Sequence, residues 1–101
     1  MSGEVFTHGR WTVKPGREDE FVAAWSEFAA WSKKDVAGSV WAILLRDQQQ
    51  RNVFISVGPW ETPAAVEAWR ANEGFRARVG HIHELLEGFE AMTLDPVVRL
   101  D

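Results

Sequence analysis

The spacing of apolar residues changes along the chain, and each change falls at a turn signal. Val5–Val13 is rich in aromatic and β-branched residues and stops at Lys14-Pro15-Gly16, which predicts a strand and then a turn. From Arg17 to Lys34 the spacing becomes helical. Phe21, Ala24, Trp25, Phe28 and Trp31 fall on one face; Glu20, Glu27 and Lys34 fall on another. Acidic Glu18, Asp19 and Glu20 open this helix and Lys33 and Lys34 close it, the polarity that the helix dipole favours. Gly38 lies just beyond its end.

Two strands are expected next, over about 39–46 and 52–60, joined by the polar tip Asp47–Arg51 as a hairpin. Thr62-Pro63 supplies an N-cap and a first-turn proline for a second helix, which carries Val66 and Trp69 inward. Asn72-Glu73-Gly74 breaks that helix. A further helical segment over about 75–87 aligns Phe75, Val79, Ile82 and Leu86, and Gly88 ends it. A last strand is expected at about 89–94, with a continuation toward Val98; Pro96 points to a sheet edge or a bend.

An internal echo supports this order. Val13, Pro15, Val22, Ala24 and Trp25 recur 44 residues later as Val57, Pro59, Val66, Ala68 and Trp69. Two similar βαβ halves leave such a trace, as in the ferredoxin-like arrangement. The expected fold is therefore α+β, βαββαβ with a four-stranded antiparallel sheet, as a single domain over 1–101.

Helices cover one face of such a sheet, and a monomer would show polar residues on the other. Here both faces are apolar: Trp41, Ile43 and Leu45 alternate with Val40, Ala42 and Leu44, and Val53, Ile55 and Val57 alternate with Phe54 and Trp60. A homodimer with sheets face to face is expected, burying roughly 800 Å² per partner.

Composition narrows the partners. The net charge is −4, and Lys33-Lys34 is the longest basic run, so nucleic acid is not an expected partner. No apolar stretch is long enough for a membrane span, and Met1-Ser2-Gly3-Glu4 carries no sign of a signal peptide. The absence of cysteine excludes disulfides and Cys-based zinc sites and fits a cytoplasmic setting. The six Trp and six Phe, with no Tyr, either fill the core or line a pocket for a flat aromatic ligand.

The run Val13 to Trp25, the hairpin end Phe54-Ile-Ser-Val-Gly-Pro-Trp60, and Ala68-Trp69-Arg70 followed by Phe75 resemble the antibiotic biosynthesis monooxygenase (ABM) domain family over nearly the whole chain. The resemblance implies a dimeric α+β barrel of ferredoxin-like subunits. Its functional implication is mixed: some members oxidise polyketide-like aromatics with dioxygen and no metal or flavin, some degrade haem, and others act on signalling molecules or have no known activity.

The quinone-forming members place a Trp on the second helix, a Tyr six residues later and an Asn one turn before. Trp69 matches the first; Phe75 stands at the Tyr position and Ala65 near the Asn. Phe75 has no hydroxyl to exchange a proton or to hydrogen-bond a substrate. The haem-degrading members use a first-strand Asn, the helix Trp and a His about ten residues on. These positions fall at Gly9, next to His8, at Trp69, and near Val79, with His81 and His83 just beyond.

Trp69 is thus the leading candidate, its alternative being a core residue that mirrors Trp25. His81 and His83 point about 200° apart on a helix and make a poor ligand pair, so no metal site is expected. His83, nearer the apolar stripe, is a candidate base or donor, and Arg78 a candidate for binding a phenolate or carboxylate. Trp25, Phe75, Val79 and His8 are expected to border the ligand; His8 and Arg10 share a strand face with Phe6 and Thr12 and line either the cavity or the dimer seam. The expected function is a cofactor-independent monooxygenase acting on a small phenolic aromatic, with Trp69, His83 and Arg78 as catalytic candidates. The alternatives are a non-catalytic dimer that binds a small aromatic molecule, and a haem-binding or haem-degrading relative.

Overall fold

The computed structural model describes residues 4–101; Met1–Gly3, part of the stretch read for a signal peptide, lie outside them. The order is β1 (Val5–Val13), α1 (Glu18–Asp35), β2 (Ile43–Arg46), β3 (Val53–Trp60), α2 (Pro63–Ala71), α3 (Glu73–His83) and β4 (Leu86–Leu94). The strands form one antiparallel sheet in the order β2-β3-β1-β4. This is the ferredoxin-like α+β fold. Among the described residues no helix is long and apolar enough to cross a membrane.

The hydrophobic pattern explains which face the helices cover. Val5, Trp11 and Val13 of β1 and Phe54 and Trp60 of β3 point to one side, against Phe21 and Phe28 of α1, Val66 of α2 and Ile82 of α3, and all are buried. The opposite side carries Phe6, Ile43, Leu45, Ile55, Val57, Met92 and Leu94. In the single chain Ile43, Leu45 and Met92 remain about half exposed, at 44%, 48% and 51%. Trp41 lies edge-on to Phe6 on this side, with ring centroids 6.4 Å apart.

Several boundaries differ from the sequence expectation. Arg17 precedes α1 as its N-cap residue, with its guanidinium on Glu20. β2 is shorter than 39–46: Ser39 makes only an isolated bridge to Trp60, and pairing starts at Ile43. The largest difference is at α3, which ends at His83 instead of running to 87. Leu85 is fully buried and its carbonyl accepts from Lys14 N–H, so the chain is captured by β1 there. Leu86 pairs with Val13 and opens β4, and Gly88 sits inside that strand opposite Thr12. β4 is an edge strand, as β2 is on the other side, and stops at Leu94, before Pro96.

Gly38 turns the chain between α1 and β2 with φ +94°, a conformation open to glycine at little cost. A Cβ there would also meet the Cβ of Ala65 at 2.5 Å.

Candidate functional site

A cavity of about 240 Å³ lies between the sheet and the helices. Its origin is in the cross-strand rows. On the helix-facing side, Phe54, Trp11 and Phe89 form one row of large rings across β3, β1 and β4. The next row on that side is Ser56, Gly9 and Ala91, and the next is Gly58, Thr7 and Thr93. Trp60 beside Val5 then closes the far end. Two rows of small residues between rows of rings leave a hollow that the helices roof but do not fill.

The roof is aromatic. Trp25, Phe28 and Ser32 come from α1, Trp69 and Arg70 from α2, and Phe75 and Val79 from α3. Trp69 is the hub: its ring lies 4.6 Å from Trp60, 4.7 Å from Phe75 at 75°, and 5.6 Å from Phe28 in a stacked pose. On one unbroken helix, residues six apart point about 240° away from each other. Trp69 and Phe75 meet because Asn72 ends α2 and starts α3. Its Oδ1 accepts from Gly74 N–H at 2.7 Å, the cap that lets α3 set off in a new direction.

Three indole N–H groups of the cavity donate to hydroxyls. Trp69 Nε1 donates to Ser32 Oγ at 2.9 Å, Trp60 Nε1 to Thr7 Oγ1 at 3.2 Å, and Trp11 Nε1 to Ser56 Oγ at 2.9 Å. Such partners are what a tryptophan requires when its ring is withdrawn from water. Arg70 stands at the rim and donates to Thr93 Oγ1 at 3.0 Å.

The structure brings together Trp69, Trp25, Phe75 and Val79 around this cavity. His8 also borders it, but its register partners Val57 and Met92 belong to the opposite sheet face. Side chains alternate along a strand, so the imidazole points away from the helices. Its Nδ1 is buried without a hydrogen-bond partner among the described residues. Arg78 lies outside the cavity, in the groove between α1 and α3. Its guanidinium is paired with Glu27 at 2.9 Å and packs over the Trp31 ring at 4.5 Å. His83 is exposed at the end of α3, edge-on to Phe89 at 5.2 Å, and does not border the cavity.

Sequence reasoning missed Ser32, Ser56, Trp11, Trp60 and Arg70. Ser56 was marked in principle: it is polar on the strand face that carries Phe54 and Trp60. Ser32 carried a weaker signal, a small polar residue one turn after Phe28 on the apolar face of α1.

A ferredoxin-like α+β chain with an aromatic cavity beneath two short helices defines the class. The antibiotic biosynthesis monooxygenase family profile matches residues 5–91, and the chain belongs to that family. No curated protein matches it. Among solved structures it is similar to SnoaB of Streptomyces nogalater, a cofactor-independent oxygenase, with 24% identity over 98% of both chains and TM-score 0.90. It is also similar to a candidate antibiotic biosynthesis monooxygenase from Caulobacter crescentus CB15, with 19% identity, 96% of this chain and 92% of that one, and TM-score 0.87. A conserved protein of unknown function from Bacteroides thetaiotaomicron follows the same fold at 20% identity, over 93% of this chain and 98% of that one, with TM-score 0.82.

Proposed function

We propose that this chain, as a homodimer, binds a flat phenolic aromatic in the cavity beneath Trp69 and Phe75 and oxidises it with dioxygen, without a cofactor. The observation that carries this reading is the hollow made by the Ser56–Gly9–Ala91 row, walled by Trp and Phe rings and sized for a small fused-ring molecule. Family membership and the fold shared with SnoaB support it.

The chemistry balances on substrate and dioxygen alone. A methylene flanked by aromatic rings loses a proton to give a carbanion delocalised over those rings. The carbanion passes its electrons to dioxygen and forms a carbon–oxygen bond. The resulting hydroperoxide loses water, leaving a carbonyl: one oxygen atom in the product, the other in water. Among the described residues no carboxylate borders the cavity, and the His8 ring faces the other way. The proton therefore leaves to water, and the protein contributes burial, orientation and hydrogen bonds to the developing anion. The charge of Arg70 at the rim favours that anion, and the Trp69 ring holds the plane of the substrate.

The residues present do not fit haem. A side chain at Gly9 would stand 2.8 Å from both Ser56 Oγ and Trp11 Nε1, so the first-strand Asn of the haem-degrading pattern has no room. Val79 lines the cavity where that pattern has its His.

The homodimer reading rests on the bare sheet face, where Ile43, Leu45 and Met92 lie exposed. A second reading, binding without turnover, is favoured by Phe75, which places no hydroxyl in the cavity.

Dioxygen uptake by metal-free protein with anthrone- and dihydroxynaphthalene-like phenols tests the proposal. Uptake above the protein-free rate, reduced in Trp69→Phe, supports it. Quenching of Trp fluorescence by the same compounds without uptake replaces it with the binding reading.

A further inference from the structure

The hydroxyls that receive the three cavity indoles differ in what their own protons do. Ser32 Oγ donates onward to Phe28 O at 2.9 Å, and Thr7 Oγ1 reaches Gly58 O at 3.4 Å. Ser56 accepts from Trp11 and has no acceptor of its own among the described residues. It sits in the middle of the floor, between Gly9 and Leu44 on neighbouring strands.

We infer that Ser56 is the polar recognition point of the cavity: its hydroxyl, held in place by Trp11, donates to an oxygen of the aromatic ligand. This rests on the aromatic-ligand reading above and adds the group of the ligand that is read. The ligand class is an aromatic bearing a phenol, phenolate or carbonyl oxygen on the edge that faces the sheet.

The oxygen of Ser56 is fixed from one side by Trp11 Nε1 at 2.9 Å, so its proton is directed to the remaining side. Accepting one hydrogen bond also strengthens the one it donates. Gly9 makes the arrangement possible, because a Cβ at that position would intrude at 2.8 Å on both partners. Gly9 and Trp11 are thus positioning residues, and Ser56 is the one that touches the ligand. Ser39, Trp25 and Trp41 also border the cavity without an acceptor, but among the described residues no hydrogen bond holds any of these side chains in place.

The test is calorimetric titration of the full chain with 1-naphthol and with naphthalene, which differ only in the oxygen. Wild type should bind both. In Ser56→Ala the naphthol affinity should fall roughly three- to tenfold, the worth of one neutral hydrogen bond, while naphthalene binding stays within error. Trp11→Phe, which keeps the serine but frees it to rotate, should lose part of the same naphthol-over-naphthalene preference. That preference is a ratio on one protein, so a general loss of stability does not imitate the result. If Ser56→Ala destabilises the fold, Ser56→Cys, which keeps the shape with a weaker donor, should show the same loss of preference. An unchanged ratio in Ser56→Ala and Ser56→Cys overturns the inference and leaves the aromatic pocket standing. Failure of wild type to bind either compound overturns both.

Discussion

Trp69 Nε1 donates to Ser32 Oγ at 2.9 Å, and the Ser32 hydroxyl donates in turn to Phe28 O, one turn back along α1. The most prominent ring of the cavity is therefore tied to the neighbouring helix through its only polar atom. Trp69 acts on a ligand through its face and edge, since its N–H is already engaged.

Ser32→Ala should separate the two roles of this pair. It leaves the Trp69 N–H without its partner, which should cost about 1–3 kcal/mol in chemical denaturation. Ligand affinity should fall less than in Trp69→Phe, because the ring is still present. Equal loss in both variants would show that the orientation of the ring matters more than its area.

Arg78 tests the boundary of the site. Its ion pair with Glu27 bridges α1 and α3 at the surface, where such pairs contribute about 0–1 kcal/mol. Arg78→Ala should lower stability slightly and leave aromatic binding unchanged in a fluorescence titration. A clear drop in affinity would bring Arg78 back as an anion-binding residue.

Phe75→Tyr adds one oxygen atom to the roof, 4.7 Å ring to ring from Trp69. It restores the phenol that the sequence resemblance associates with quinone formation. Dioxygen uptake should rise over wild type with the same phenols. No change would mean that Phe75 serves as a wall only.

The bare sheet face predicts a sedimentation mass of twice the 11.5 kDa chain at micromolar concentration. Leu45→Lys, placed among the exposed apolar residues, should shift the equilibrium to monomer. A monomeric wild type would remove the homodimer from the proposal.

At the hairpin tip, Asp47 Oδ1 accepts from the backbone N–H of Gln50 and of Gln49, and these bonds hold its carboxyl below the usual range. A depressed carboxyl stabilises the turn above its unfolded value, and that contribution disappears as pH falls through the folded one. The amide shifts of Gln49 and Gln50 should titrate together, with a midpoint below that of an ordinary aspartate.

The fold was legible because its signals are local. The Thr62-Pro63 start, the alternation in β3 and the helical stripe of α1 each state one element in a few residues. The end of α3 was not legible in this way. The run through Leu86 keeps a helical spacing, and only the tertiary pairing of Leu86 with Val13 turns it into a strand. The site divides along the same line. Trp69, Phe75 and Val79 could be found from helix position. The pairing of Ser56 with Trp11 could not, because the two are 45 residues apart and meet only through the β1–β3 register.

Asn72 has a consequence for the range of ligands such a scaffold can take. At the corner it caps, the backbone passes from the part of the roof that carries Trp69 to the part that carries Phe75. No strand register passes through it. A residue gained or lost there would swing one helix against the other and change the girth of the hollow, while the sheet floor kept its rows unaltered. The chain thus keeps its adjustable dimension at a joint and its fixed dimension in the sheet, with Val66 and Ile82 setting how far either helix can move before the core is disturbed.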